Sequence, residues 1–325
     1  MRIKNAGFAL SLFLSLGICA AAQTAPTEPI KESETQPAIR VTVNFVDVPV
    51  SVTNAQGQFI SGLAQGNFRV YENGLAQKIA VFKDEDNPVT VGLLVDHSGS
   101  MRTKLPEVTA AAIAFAQSSN PKDEMFVVDF NDMVSLVLPA ATPFTSDLGE
   151  LEKAVSGMRA DGRTALNDAI LVALDHLRSA HRERQALIIV SDGGDNASKH
   201  KFAQVLSEAR ASKASIYAIG IFGANQADQN PEMLEKLAKS TGGRAYFPLS
   251  VKEVSSICTQ IARDIREQYT LGYSPSNAAL QGSYRKIEVK VDAPNHERLH
   301  VRTRPGYASP PKSATNPSVR ATGSL

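Results

Sequence analysis

Tryptophan is missing from the 325 residues, and aromatic side chains make up only 6% of them. That leaves little material for stacking on bases, the contact on which single-strand binding rests. Neither sign of charge prevails: 34 Lys and Arg stand against 33 Asp and Glu, a formal charge of +1. Such a balance gives no field to draw the chain to nucleic acid or to an acidic polymer. Cysteine occurs twice, at Cys19 and Cys258, too seldom for a disulfide-stapled scaffold. What remains is ordinary globular material, 43% hydrophobic and 21% charged, which excludes collagen, coiled coil and wholesale disorder. At roughly 100–200 residues per domain, the length allows two domains or one large one.

The first 22 residues read as a targeting segment. Arg2 and Lys4 give a positive start, Ala6–Ile18 is apolar but shorter than the ~20 residues of a membrane span, and Ala20-x-Ala22 fits signal-peptidase cleavage before Gln23. Ile18 precedes Cys19 where a lipoprotein signal has a small residue, so a periplasmic or secreted protein is expected rather than a lipid-anchored one. Cleavage would remove Cys19 with Arg2 and Lys4, leaving one cysteine and a charge of about −1. No later run is long and apolar enough for a transmembrane span. Residues 23–39 and 308–325, rich in Pro, Ser, Thr and Glu or Ala, read as a disordered leader and tail.

Between these ends the rhythm changes twice. Residues 40–87 are β-like: Val41, Val43 and Phe45 alternate with polar residues, then Val46, Val48, Val50 and Val52 take over one residue out of phase. A slip of one turns every later side chain to the other face, so a bulge is expected near Phe45 and Val46. Pro49 has no N–H for a ladder, which predicts an edge strand. Residues 88–266 alternate strand and helix. Val89–Asp96, Ala186–Val190 and Ser215–Ile221 are apolar runs typical of parallel strands covered on both faces. Glu124–Phe130 and Met133–Leu138, joined by Asn131-Asp132, predict a hairpin that adds one antiparallel edge strand. Leu105–Ser118, a segment capped by Ser146, Leu166–Ser179, Phe202–Lys213, Pro231–Ser240 and Val251–Glu267 read as helices. The fold class expected is α/β with a doubly wound, mostly parallel sheet. Residues 267–307 return to period two at Tyr269, Leu271 and Tyr273, then at Ile287, Val289 and Val291. Neither flank alone supplies a stable sandwich, but together they supply six or seven strands, so the α/β domain is expected as an insertion in a split β-sandwich. Two separate β modules are the alternative.

In an open α/β sheet, ligands bind at the carboxyl ends of the strands. Three loops there carry oxygen donors: Asp96-His97-Ser98-Gly99-Ser100, Asp161-Gly162-Arg163-Thr164-Ala165 and Ser191-Asp192-Gly193-Gly194-Asp195. Each is common alone, and Asp or Ser after a strand also serves as a plain helix cap. Together, at one sheet mouth, they form a hard donor set suited to Mg²⁺, Mn²⁺ or Ca²⁺ rather than zinc. With only two carboxylates the cation stays electrophilic, able to accept a further carboxylate from outside.

This arrangement resembles the metal-ion-dependent adhesion site of the von Willebrand factor type A family, over Pro88–Arg266, and the whole layout is similar to an exported bacterial branch of it. The resemblance implies Asp96, Ser98, Ser100, Thr164 and Asp192 as metal ligands, Mg²⁺ (or Mn²⁺ or Ca²⁺) as cofactor, and a protein partner presenting Asp or Glu. His97, Arg102, Arg163 and Asp195 are the candidates for touching that partner. His97 is expected to face solvent, Asp195 to finish its loop, and Arg102, Lys104 and Arg163 to be solvated. The second metal site of integrin β chains is not matched, since Met101-Arg102-Thr103-Lys104 lacks its acidic pair.

No GxSxG elbow or GxxxxGK[ST] loop is present, and only His97 offers a general base. A binding module without enzyme activity is therefore expected, with a metal-dependent hydrolase of phosphate or ester substrates as the alternative and a role in assembling envelope proteins as a third reading. His176 and His181, five apart, do not share a helical face for zinc, and Cys258, among Ile257, Ile261 and Ile265, reads as a buried thiol.

Overall fold

A computed structural model describes residues 45–84, 86–223, 229–277, 283–293 and 298–309. The expected signal, leader and tail, the strand at Val41–Val43 and its bulge lie outside or at the margin of these residues; Phe45 itself precedes the first strand.

The amino-terminal flank forms β1 (Val46–Thr53), β2 (Phe68–Glu72), β3 (Leu75–Gln77) and β4 (Ile79–Lys83). The α/β region follows with β5 (Val89–Asp96), α1 (Leu105–Ser118), β6 (Glu124–Phe130), β7 (Val134–Leu136), α2 (Leu148–Ser156), α3 (Leu166–His176), β8 (Arg184–Ser191), α4 (Phe202–Ala211), β9 (Ser215–Gly220), α5 (Pro231–Thr241), β10 (Ala245–Tyr246) and α6 (Val254–Arg266). The last flank is β11 (Tyr269–Tyr273), β12 (Tyr284–Val291), β13 (His300–Thr303) and β14 (Gly306–Ala308).

The central sheet runs β10-β9-β8-β5-β6-β7, parallel except for β7, which pairs antiparallel with β6 at one edge. Val89, Val91, Leu93 and Val95 point to a core shared with α1, α2 and α6, while Leu94 and the alternate residues of β6 and β8 point to one shared with α3, α4 and α5. Burial on both faces is why these strands read as unbroken apolar runs. Gly92 is required by packing: a Cβ there would lie 2.4 Å from Phe126 Cζ, so the ring rests directly on the neighbouring strand's backbone. Helix α2 is capped by Asp147, whose carboxylate accepts from Gly149 N and Glu150 N, and not by Ser146. Asp accepts both amides with one charged group, which also favours the positive end of the helix.

The flanks build two four-stranded sheets, β13-β1-β11-β4 and β14-β12-β2-β3, each drawing strands from both sides of the α/β region. Val48, Val50, Val52, Leu271 and Tyr273 from one sheet meet Phe68, Val70, Ile287 and Val289 from the other. Phe68, Phe82 and Tyr269 cluster between them, with ring centroids 4.9–5.9 Å apart. The α/β domain is inserted between β4 and β11, which are themselves antiparallel neighbours.

The edge position expected from Pro49 is wrong, because β1 lies between β13 and β11. The β13 ladder covers only Val50–Thr53, and the Pro49 carbonyl accepts from Thr303 Oγ1 at 2.9 Å just beyond it. N and O of one residue face the same neighbour in an antiparallel strand. The missing donor therefore falls just beyond the ladder's end.

Candidate metal centre

Register brings the three loops to one level. Asp96 pairs with Phe130, Val95 with Val190, and Ser191 with Gly220, so Asp96 and Ser191 end adjacent strands side by side. The loops above them are stitched by backbone bonds: Gly99 N to Gly162 O (3.0 Å), Asp161 N to His97 O (2.9 Å), and Asn196 N and Ala197 N to Thr164 O (both 3.0 Å). The Asn196 side chain accepts from Thr164 N at 2.9 Å.

On this floor Asp96 is fully buried, and Ser98, Thr164 and Asp192 are buried too. Asp96 Oδ1 accepts from Ser98 N at 2.9 Å and Oδ2 from Ser191 Oγ at 2.5 Å. Ser98 Oγ and Ser100 Oγ lie 3.1 Å apart, and Asp192 Oδ1 accepts from Gly194 N at 3.1 Å. Burial pushes the Asp96 carboxyl above its ordinary range; its bonds from Ser191 and Ser98 offset part of that, and the charge of Asp192 adds to it.

The nearby cation is Lys104, and the expectation that it is solvated is wrong. Its side chain is buried and Nζ donates to Ile221 O at 2.8 Å. Burial lowers its pKa, while the charges of Asp192 and Asp96 act in the opposite direction. The lysine is the N-cap of α1, and its side chain crosses to the carbonyl that follows β9. Two neighbouring carboxylates thus share a buried site whose ammonium is turned to a carbonyl. A divalent cation fits this charge, and the oxygen set of Asp96, Asp192, Ser98, Ser100 and Thr164 fits a hard one. Among the described residues no group of three or more His, Cys, Asp or Glu is placed to hold a metal; the set here combines two carboxylates with three hydroxyls.

The four residues expected to meet a partner divide. Arg102 and Arg163 are exposed at the rim; Arg102 donates to Ala160 O at 3.4 Å, and Arg163 Nε donates to Asp132 Oδ1 at 2.8 Å. His97 does not face solvent: Nδ1 lies 2.9 Å from Arg159 O, and Nε2 lies 3.8 Å from Asp129, on a side chain only 15% exposed. The bond from His97 N to Phe130 O turns the residue back over β6. Asp195 joins its loop to α3, accepting from Asn167 N at 2.7 Å and Ser198 N at 3.2 Å. The supporting roles of Ser191 toward Asp96 and of Asn196 toward Thr164 are what sequence reasoning missed. A hydroxyl ending the strand beside Asp96 was the available signal for Ser191. His176 Nε2 meets Pro143 O, His181 meets Glu124, and burial raises the Cys258 thiol to about 12, so none of these joins the site.

A family model for the von Willebrand factor type A domain matches residues 91–260, more than half of the chain. The chain belongs to this family. Human inter-alpha-trypsin inhibitor heavy chain H4 is 27% identical over 207 residues, 59% of this chain and 22% of that protein. The uncharacterized protein sll0103 of Synechocystis is 25% identical over 170 residues, 50% of this chain and 38% of that protein. The chain thus spans well under half the length of these relatives. A solved von Willebrand factor type A protein from Catenulispora acidiphila is 14% identical, with a TM-score of 0.50 over 83% of this chain and 75% of that one, an agreement of fold. Among the described residues no helix is long and apolar enough to cross a membrane.

Proposed function

We propose that this von Willebrand factor type A protein is an exported, metal-dependent protein-binding module. Asp96, Ser98, Ser100, Thr164 and Asp192 hold a divalent cation, Mg²⁺ or in its place Mn²⁺ or Ca²⁺, and an Asp or Glu of a protein partner completes the site. The observation that carries this reading is the pair of buried, mutually repelling carboxylates on a floor of hydroxyls where three loops are stitched together. When bound, the cation supplies Lewis acidity toward an incoming carboxylate. The chain's own residues fix the geometry: Ser191 and Ser98 N hold Asp96, Gly194 N holds Asp192, and Asn196 holds the backbone of Thr164. Export rests on the amino-terminal sequence.

Hydrolysis is disfavoured by the one candidate base. Both ring nitrogens of His97 face groups of the protein, and Ser98 and Ser100 are poor nucleophiles as ligands. Titration calorimetry with Mg²⁺ should give heat for the wild type and none for Asp96→Ala. Binding to a partner should be abolished by EDTA and by Asp192→Ala, and survive His97→Ala. Equal heats for both proteins, partner binding unchanged in EDTA, or a metal-dependent esterase or phosphatase activity lost in His97→Ala would overturn the proposal.

A further inference from the structure

The level that carries Asp96 and Ser191 continues across the sheet to an apolar edge. Ser191 pairs with Gly220, and β10 pairs with β9 through Tyr246 and Ile219, which brings Phe247 level with Gly220. Phe247 and Phe222 stack there with centroids 5.5 Å apart and planes at 24°. Gly220 makes the arrangement possible, since a Cβ would lie 2.7 Å from Phe247 and 2.8 Å from Phe222. Phe247 is nonetheless 38% exposed, and Leu249, two residues on, is 100% exposed. On the other side of the metal loops, Met133 at the β6–β7 turn is 74% exposed.

Large side chains held in a stacked pair yet open to water, next to a ligand-binding mouth, are the mark of a contact surface. Three strand spacings separate β5 from β10, about 14 Å, which lies within the footprint of roughly 800 Å² that one partner covers. Charge completes the pattern: Arg102 and Arg159 are exposed around the metal loop, and neither forms an ion pair among the described residues.

We infer that the partner is an acidic protein segment that places an aromatic or branched aliphatic side chain on Phe247 and Leu249, beside the carboxylate that completes the metal. This rests on the metal-dependent reading above and adds the second half of the recognition. The carboxylate alone would suit any acidic protein; the apolar contact, in a centre screened from water, selects among them.

The test is a random peptide library displayed on phage, panned against the full chain in Mg²⁺ and in EDTA, with selected peptides then synthesised and titrated. Wild type in Mg²⁺ should enrich peptides that combine Asp or Glu with an aromatic or branched aliphatic residue. Those peptides should bind Leu249→Ser about tenfold more weakly, the worth of one well-buried apolar contact, and still require their acidic residue. Leu249 is fully exposed, so the substitution leaves folding untouched; Phe247→Ser is the second variant. Acidic peptides without an apolar companion, equal binding to both variants, or no enrichment over background would overturn the inference. Apolar peptides that ignore EDTA and Asp192→Ala but weaken with Leu249→Ser would instead overturn the metal reading.

Discussion

Glu72, in the β-sandwich, and Asp96, at the mouth of the α/β sheet, are both carboxylates closed off from water. Glu72 meets Arg285 Nη1 at 2.6 Å and accepts from the hydroxyls of Tyr273 at 2.7 Å and Tyr307 at 2.9 Å. Its charge is matched and its lone pairs are filled inside the fold. Asp96 accepts from one amide and one hydroxyl, faces a second carboxylate, and has its nearest ammonium turned to a carbonyl. A buried acid completed by its own chain is architecture; one that its own chain leaves without a counter-charge is a candidate site. The distinction is one of partners, because burial is the same in both.

The largest way to break that contrast is Glu72→Ala. It would leave Arg285, with a side chain 3% exposed, without its counter-charge, and should cost about 3–5 kcal/mol in urea unfolding; a loss below about 1 kcal/mol would deny Glu72 its structural role. Next comes the metal. Mg²⁺ at a hundred times its dissociation constant should stabilise wild type by about 2.7 kcal/mol and leave Asp192→Asn unmoved, read as a shift in the urea midpoint.

A finer test is Asp96→Asn in EDTA. Asparagine keeps partners for Ser98 N and Ser191 and removes the repulsion with Asp192, so the change should be within about 1 kcal/mol. A loss as large as that of Glu72→Ala would place the two acids in one class. The smallest effect concerns Asp123, at the opposite end of the sheet, which accepts from Val89 N at 2.7 Å and Asn120 N at 3.1 Å. Burial holds its carboxyl above 3.8, with those bonds acting against the rise. The folded chain therefore grips this proton more tightly than the unfolded one. Stability falls as pH rises from 3.8 to the folded value, and the deficit persists above it. Relative to Asp123→Asn, wild type should gain stability between neutral pH and about pH 4; a gap that does not change, or widens, would remove the buried-acid assignment.

Much of this was legible because it is local. The two-sided burial of β5, β6, β8 and β9 is written as apolar runs, and each donor of the candidate site follows directly on a strand or precedes a helix. The antiparallel edge was visible in the Asn131-Asp132 turn. What escaped depended on distance. Nothing near Pro49 says that β13, some 250 residues on, stops one residue short of it. The same holds for the buried contact of Asp264 on α6 with Ser51 of β1 and Arg302 of β13, made across 213 and 38 residues. Lys104 and His97 escape for a related reason: polarity predicts exposure on average, but each is held by a carbonyl far off in sequence, Ile221 O and Arg159 O.

The place of the insertion has a consequence for how such a protein can be rebuilt. Lys83, the last residue of β4, pairs directly with Thr270 of β11, and paired residues of antiparallel strands sit about 5 Å apart. In topological terms the whole α/β domain is the loop of a hairpin. Cutting it out and closing the gap with a tight turn would leave every rung of the two four-stranded sheets in place. Any other domain whose two ends lie within about 5 Å of each other could be grafted at the same point. The sandwich is thus a socket, and a new occupant must also supply partners for Ser51, Arg302 and Arg304, which Asp264 and the end of α4 now hold.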